Sequence, residues 1–151
     1  MYSKILVAID GSDPSLHALE VAANTAKQNN AELTILTVVP PLPPMAMGDM
    51  PEDSPDLDEK IYESYKKMVR QQAKKLEKTH PEVKTVPIAM RGSPARMIVQ
   101  AAGDREVDLI VVGNRGKSGL FNWMLGSVSR RVSEACTVSV LIVKDKKFCE
   151  A

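Results

Sequence analysis

Ile5-Leu6-Val7-Ala8-Ile9 runs straight into Asp10-Gly11-Ser12-Asp13-Pro14, and this passage decides the fold. An apolar run without alternation predicts a strand covered on both faces. The polar turn ends it. Asp13 is placed to cap a helix, with Pro14 in its first position, where a missing N–H costs nothing. Leu16, Leu19, Ala22, Ala23 and Ala26 then recur at helical spacing to about Asn29.

The same alternation continues outward. Leu33–Val39 is a second β-rich run, stopped by Pro40. Residues 40–56, rich in proline and holding Met45, Met47 and Met50, read as a flexible loop over the strand ends, either a lid or a sticky partner surface. Leu57, Ile61, Tyr65, Met68, Gln72/Ala73 and Leu76 mark a long amphipathic helix from about Pro55. Val83–Ala89 is a third strand, and Pro87 places it at a sheet edge. Gly92-Ser93-Pro94 repeats the cap-then-proline start, and Ile98, Val99, Ala101 and Ala102 carry a helix to about Arg105. Val107–Val112, a short helix from Gly126/Ser127 to about Ala135, and Val138–Val143 complete the series.

Strands alternating with helices imply a parallel sheet with helices on both faces, a three-layer α/β/α domain. Right-handed crossovers and one reversal of winding favour the strand order 3-2-1-4-5. Residues 1–146 form one domain in this reading, and 147–151 a tail. Strands 1 and 4 then adjoin at the switch point, where the crevice beyond their C-terminal ends receives a ligand.

Composition narrows the function. Lys+Arg 20 against Asp+Glu 19 leaves a net charge of +1, which argues against a general attraction to nucleic acid. Aromatics at 4% leave no base-stacking platform and little to stack on a flavin. No apolar run reaches the ~18 residues of a membrane helix, and the N-terminus lacks a signal peptide's cleavage region. Cys136 and Cys149 have neither metal nor redox spacing and read as free thiols, so the expected compartment is the cytoplasm.

The chemistry concentrates near the C-terminus. The strand ending at Val112 meets Gly113-Asn114-Arg115-Gly116, and Gly126-Ser127 follows at a helix start. Glycines permit close backbone approach, and a helix N-terminus offers unpaired N–H donors, so this arrangement suits a phosphate chain. Asp10 falls at the same switch point, although it would also brace the Gly11-Ser12 turn. Ser127 reads equally as a helix cap. Arg115 and Lys117 could screen phosphate charge or be solvated. His17 and His80 have no evident partners and read as structural or surface residues.

These residues resemble the universal stress protein family, in its nucleotide-binding branch, over nearly the whole chain. The resemblance rests on Ile5–Ser12, on Gly92-Ser93-Pro94, and on the G-x2-G-x9-G-[ST] signature met by Gly113, Gly116, Gly126 and Ser127. It implies a Rossmann-like, adenine nucleotide alpha hydrolase-like fold that binds ATP, with Mg²⁺ held through Asp10. Asp10 and Ala8 would lie near the nucleotide, with Asp10 beside ribose and phosphates. Val38 would offer its backbone to adenine, and Val112 would lie beside base and sugar. Gly113, Arg115, Gly116, Gly126, Ser127, Val128 and Ser129 would hold the ribose and phosphate chain. It also implies a homodimer through Val138–Val143, with an unidentified protein partner left open. Two departures stand out: Cys136-Thr137-Val138 where relatives often have Cys-Pro-Val, and Asn114-Arg115 in the glycine loop.

Catalysis would need more than this. No G-x-x-x-x-G-K-[ST] loop occurs, and no base or second metal carboxylate accompanies the glycines. The expectation is a nucleotide-responsive regulator with at most slow ATP hydrolysis. The alternative is an interaction scaffold of the same fold without nucleotide. A phosphoacceptor receiver is disfavoured, because strand 3 ends in Ala89-Met90-Arg91.

Overall fold

The structure, a computed structural model, describes residues 1–41, 55–114, 126–135 and 137–144. Nine elements follow one another: β1 (Lys4–Ala8), α1 (Asp13–Asn29), β2 (Glu32–Val39), α2 (Pro55–Thr79), β3 (Thr85–Arg91), α3 (Pro94–Asp104), β4 (Leu109–Gly113), α4 (Gly126–Ala135) and β5 (Ser139–Val143). All strand pairs are parallel, in the order β3-β2-β1-β4-β5. The expected topology is therefore the observed one.

Two apolar cores sandwich the sheet. On one face Ile5, Val7 and Ile9 of the β1 segment pack with Ala18, Ala22, Ala23 and Ala26 of α1 and Val69, Ala73 and Leu76 of α2. On the other, Leu6, Ala8, Leu36 and Val38 pack with Ile98 and Ala102 of α3 and Val132 of α4. The five residues from Ile5 to Ile9 are wholly buried. An unalternating apolar strand is the only pattern that satisfies two covered faces. β3 takes the edge, with Pro87 opposite Ile35 and exposed, where its missing N–H costs no ladder bond.

Several boundaries differ from those expected, each for a local reason. Ser12, not Asp13, caps α1: its side chain accepts from the Ser15 N–H, and Asp13 begins the helix where its charge favours the dipole. Ser93 precedes α3 in the matching place but makes no side-chain capping bond. β3 starts two residues later than its apolar run, because Val83 is buried in a turn, its N–H donating to His80 O. His80 itself has partners. Its ring bonds Asn24 Oδ1 at 2.9 Å and Thr79 Oγ1 at 2.8 Å, fastening the end of α2 to α1.

Two helices end in the same backbone lock. After α1, Asn30 adopts φ 55° while the Ala31 N–H reaches Ala26 O and the Asn30 N–H reaches Lys27 O. After α3, Glu106 adopts φ 53° while Val107 N–H reaches Ala102 O and Glu106 N–H reaches Gly103 O. Asparagine tolerates this left-handed conformation; glutamate bears its steric cost. Meanwhile the flexible residue sits inside the helix, at Gly103, where an added Cβ would touch nothing within 4 Å. Glu106→Gly and Gly103→Ala are each expected to stabilise the fold by about 0.5–1 kcal/mol, together raising the melting temperature by a few degrees. Calorimetric melting of the two variants checks this, and a loss in either would contradict the backbone assignment.

Candidate functional site

β1 and β4 lie side by side at the reversal of winding, with Val7 opposite Val111. The chain leaving β1 turns through Asp10, which is fully buried. A closed set of short bonds holds the turn. The Ser12 N–H donates to Asp10 Oδ1 (2.9 Å) and the Asp10 N–H to Ser15 Oγ (3.2 Å). The Ser15 hydroxyl donates to Ser12 O (2.9 Å), and Gly11 supplies the φ of 85° the reversal needs. Asp10 thus does brace its turn. Its carboxylate is also fixed at the C-terminal end of the central strand, where a ligand of this sheet architecture sits.

The sequence reading missed three groups here: Ser15, Tyr65 and Thr37. Tyr65 comes from α2 with its side chain buried. Its phenol holds its proton above the usual tyrosine value, chiefly because burial disfavours the phenolate and further because of the negative charge of Asp10. Thr37 is buried on β2 one residue before Val38, and its hydroxyl has no hydrogen-bond partner among the described residues. Strand alternation puts Thr37 with Leu33 and Ile35 on the face that α1 and α2 cover. The only signal was polarity on otherwise apolar stripes.

The hydrophobic candidates fall together, but as core. Ala8, Val38, Val112 and Val128 have their side chains in one cluster under α3 and α4. Only their backbones are left to face a ligand beyond the strand ends. Gly113 ends β4 opposite Val143, and the Asn114 N–H donates to Val143 O at 3.0 Å. Gly126 opens α4, Ser127 is exposed behind it, and Ser129 is buried. The first N–H groups of any helix have no partner within it, so α4 presents donors at its start. Arg115, Gly116, Lys117 and the loop methionines lie outside the described residues.

Among the described residues no three His, Cys, Asp or Glu side chains cluster to bind a metal ion. A cation here would have to be shared between Asp10 and the oxygens of a bound phosphate chain. That fits Mg²⁺, which takes few protein carboxylates and keeps its water and phosphate ligands. No helix among the described residues is long and apolar enough to cross a membrane.

This parallel sheet order, with its single reversal of winding between β1 and β4, is that of the Rossmann-like α/β proteins as a class. The profile of the universal stress protein family matches residues 1–144, and the chain belongs to that family. It is 42% identical over 151 residues to universal stress protein YxiE of Bacillus subtilis, covering 95% of this chain and all of that one. Among solved structures, the hypothetical protein MJ0577 superposes with a TM-score of 0.77 at 31% identity, over 97% of this chain and 98% of that one. A universal stress protein in complex with cAMP superposes at 0.66 with 28% identity, over 94% and 97% of the two chains.

Two outcomes follow from the buried polar groups. The raised phenol pKa of Tyr65 means that its stabilising neutral form is intact below the unfolded value near 10 and is lost as pH climbs through the folded value. Tyr65→Phe is expected to flatten the alkaline fall in melting temperature; identical profiles would contradict the burial. Thr37→Val removes an unsatisfied hydroxyl at nearly constant shape and is expected to stabilise the ligand-free protein by about 1 kcal/mol, measured by urea unfolding.

Proposed function

We propose that the chain binds an adenine nucleotide across the C-terminal ends of β1 and β4 and acts as a regulatory protein of the stress response, with ATP as the preferred ligand. The observation that carries this reading is the placement of Asp10, buried just beyond β1, and Gly113, at the end of β4, on the two strands that adjoin where the winding reverses. The relative crystallised with cAMP supports an adenine nucleotide as the ligand class. In this reading the Val38 backbone pairs with adenine and Asp10 faces the ribose and phosphates. The start of α4, from Gly126 to Ser129, and the Gly113–Gly116 loop donate N–H groups to the phosphate chain. Mg²⁺ would neutralise part of the phosphate charge beside Asp10. Val112 and Ala8 set the distance between backbone and ligand through their packing.

Turnover is not the role we assign. Phosphoryl transfer needs a positioned nucleophile and a cation for developing charge, and no described side chain is placed as the base. We assign the chain instead to a cytoplasmic homodimer whose surfaces respond to occupancy. The dimer would form through Val138–Val143. β5 is an edge strand with β4 alone beside it, and an open edge invites pairing about a two-fold axis. Val138, Val140 and Ile142 are already partly covered by the α3/α4 core, so the invitation comes from unpaired backbone and from Leu141, which is exposed.

Calorimetric titration of nucleotide-stripped protein tests the reading. MgATP is expected to bind at micromolar levels, with affinity falling through ADP to AMP. Gly116→Val should weaken MgATP at least tenfold with the circular dichroism spectrum unchanged. Asp10→Asn, which keeps an oxygen for the Ser12 N–H, should weaken MgATP more than AMP. Absence of heat with every nucleotide from folded protein would instead favour a scaffold of the same fold.

A further inference from the structure

The outer face of α2 changes sign along its length. After Glu63 it presents Lys67, Arg70, Lys74 and Lys78, all exposed and spaced three or four residues apart, so they form one stripe. At ~1.5 Å per residue the stripe is ~16 Å long. A shallow depression of about 230 Å³ runs along it, lined by Glu63, Lys67, Arg70, Gln71 and Lys74. Among the described residues none of these four cations forms an ion pair.

Ordinary helix chemistry does not account for the stripe. The dipole rewards cations only in the last turn, which covers Lys78 but not Lys67 or Arg70. Lys67–Arg70, Arg70–Lys74 and Lys74–Lys78 are like-charge neighbours, each mildly destabilising to an isolated helix. Such a stripe is stabilised by an anion from outside.

The form of that anion is also constrained. Exposed residues between 63 and 79 include nothing apolar or aromatic, so there is no element to insert into a bilayer and none to stack on a base. Exposed Glu77 stands beside Lys74 and Lys78, and Glu82 beyond the helix end is held by Lys27 of α1, so acids bound the cationic field, which is about one helix, ~10 Å, wide. A flat anionic membrane or a nucleic acid duplex would meet those acids as well. A narrow chain would not. In an extended peptide, side chains on one face recur every ~6.6 Å, close to the ~6 Å between Arg70, Lys74 and Lys78.

We infer that the Lys67–Arg70–Lys74–Lys78 face of α2 is a docking surface for an extended, carboxylate-rich segment of a partner protein. The surface is independent of the nucleotide site, and its test needs no nucleotide. Fluorescence anisotropy of a fluorescein-labelled oligo-glutamate of about 12 residues, long enough to overrun the stripe, reads binding to the full chain. Binding is expected at about 50 mM salt and should weaken at least tenfold by about 300 mM. Arg70→Glu with Lys74→Glu should reduce affinity at least tenfold, whereas the equally charge-changing Arg96→Glu with Arg131→Glu on the opposite layer should not. Circular dichroism confirms that each variant is folded. The inference is overturned by no binding at low salt, by equal loss in both double variants, or by tighter binding of a DNA duplex or of phosphatidylserine vesicles than of the peptide.

Discussion

β1 has no wet side. Ile5 through Ile9 are fully buried, with β2 and β4 hydrogen-bonded on the two edges and a helical layer on each face. Its side chains leave water completely, at roughly 25 cal/mol per Å² of apolar surface, and its backbone groups are paired in the sheet. That burial dictates the winding: the chain must travel one way to cover one face and then reverse to cover the other. The reversal leaves β1 and β4 adjacent while their following segments diverge to opposite faces. The cleft at their C-terminal ends is a consequence of covering the central strand.

The two ends of the sheet are built for different purposes. At the N-terminal end, the Asp108 carboxylate accepts from the Ser3 and Lys4 N–H groups, and Asp108 N–H donates to Lys4 O. Arg105 reaches from the end of α3 to Thr34 Oγ1 and Glu32 Oε1 on β2. Lys84 binds the same Glu32, and the two cations, Lys84 foremost, hold its carboxyl below the usual carboxylate range against the opposing effect of burial. These contacts tie strand to strand. At the C-terminal end the buried polar groups include Asp10, Ser15, Tyr65 and Thr37, and the last of these has no partner for its hydroxyl among the described residues.

The layers are also unequal outside. β5 is only partly covered: Val138, Val140 and Ile142 pack against the α3/α4 core and Val143 against the opposite one, while Leu141 is exposed. On the opposite layer, α2 carries a charge pattern unrelated to the core it covers. Its inner face (Tyr65, Val69, Ala73 and Leu76) answers to the sheet, and its outer face is free to answer to something else. A fold shared with many relatives leaves such outward faces as the places where one member differs from another.

The topology was legible in the sequence because burial on two faces leaves an unmistakable unalternating run, and because Pro87 and the proline-led helix starts mark an edge strand and its crossovers. The glycine and serine positions of the candidate site were legible for a similar reason: close backbone approach restricts residue type. What escaped was chemistry decided by neighbours distant in sequence. Nothing local distinguishes Tyr65 from its apolar companions on α2, or shows that Thr37 lacks a partner, or that His80 finds Asn24. Nor could composition reveal that Val38, Val112 and Val128 spend their side chains on a common core and have only backbone to offer. Sequence by itself determined the order of the strands, since it follows from local pattern and chain handedness. Tertiary structure alone decided which buried polar groups are satisfied, because a hydrogen bond depends on where atoms meet and not on where they stand in the chain.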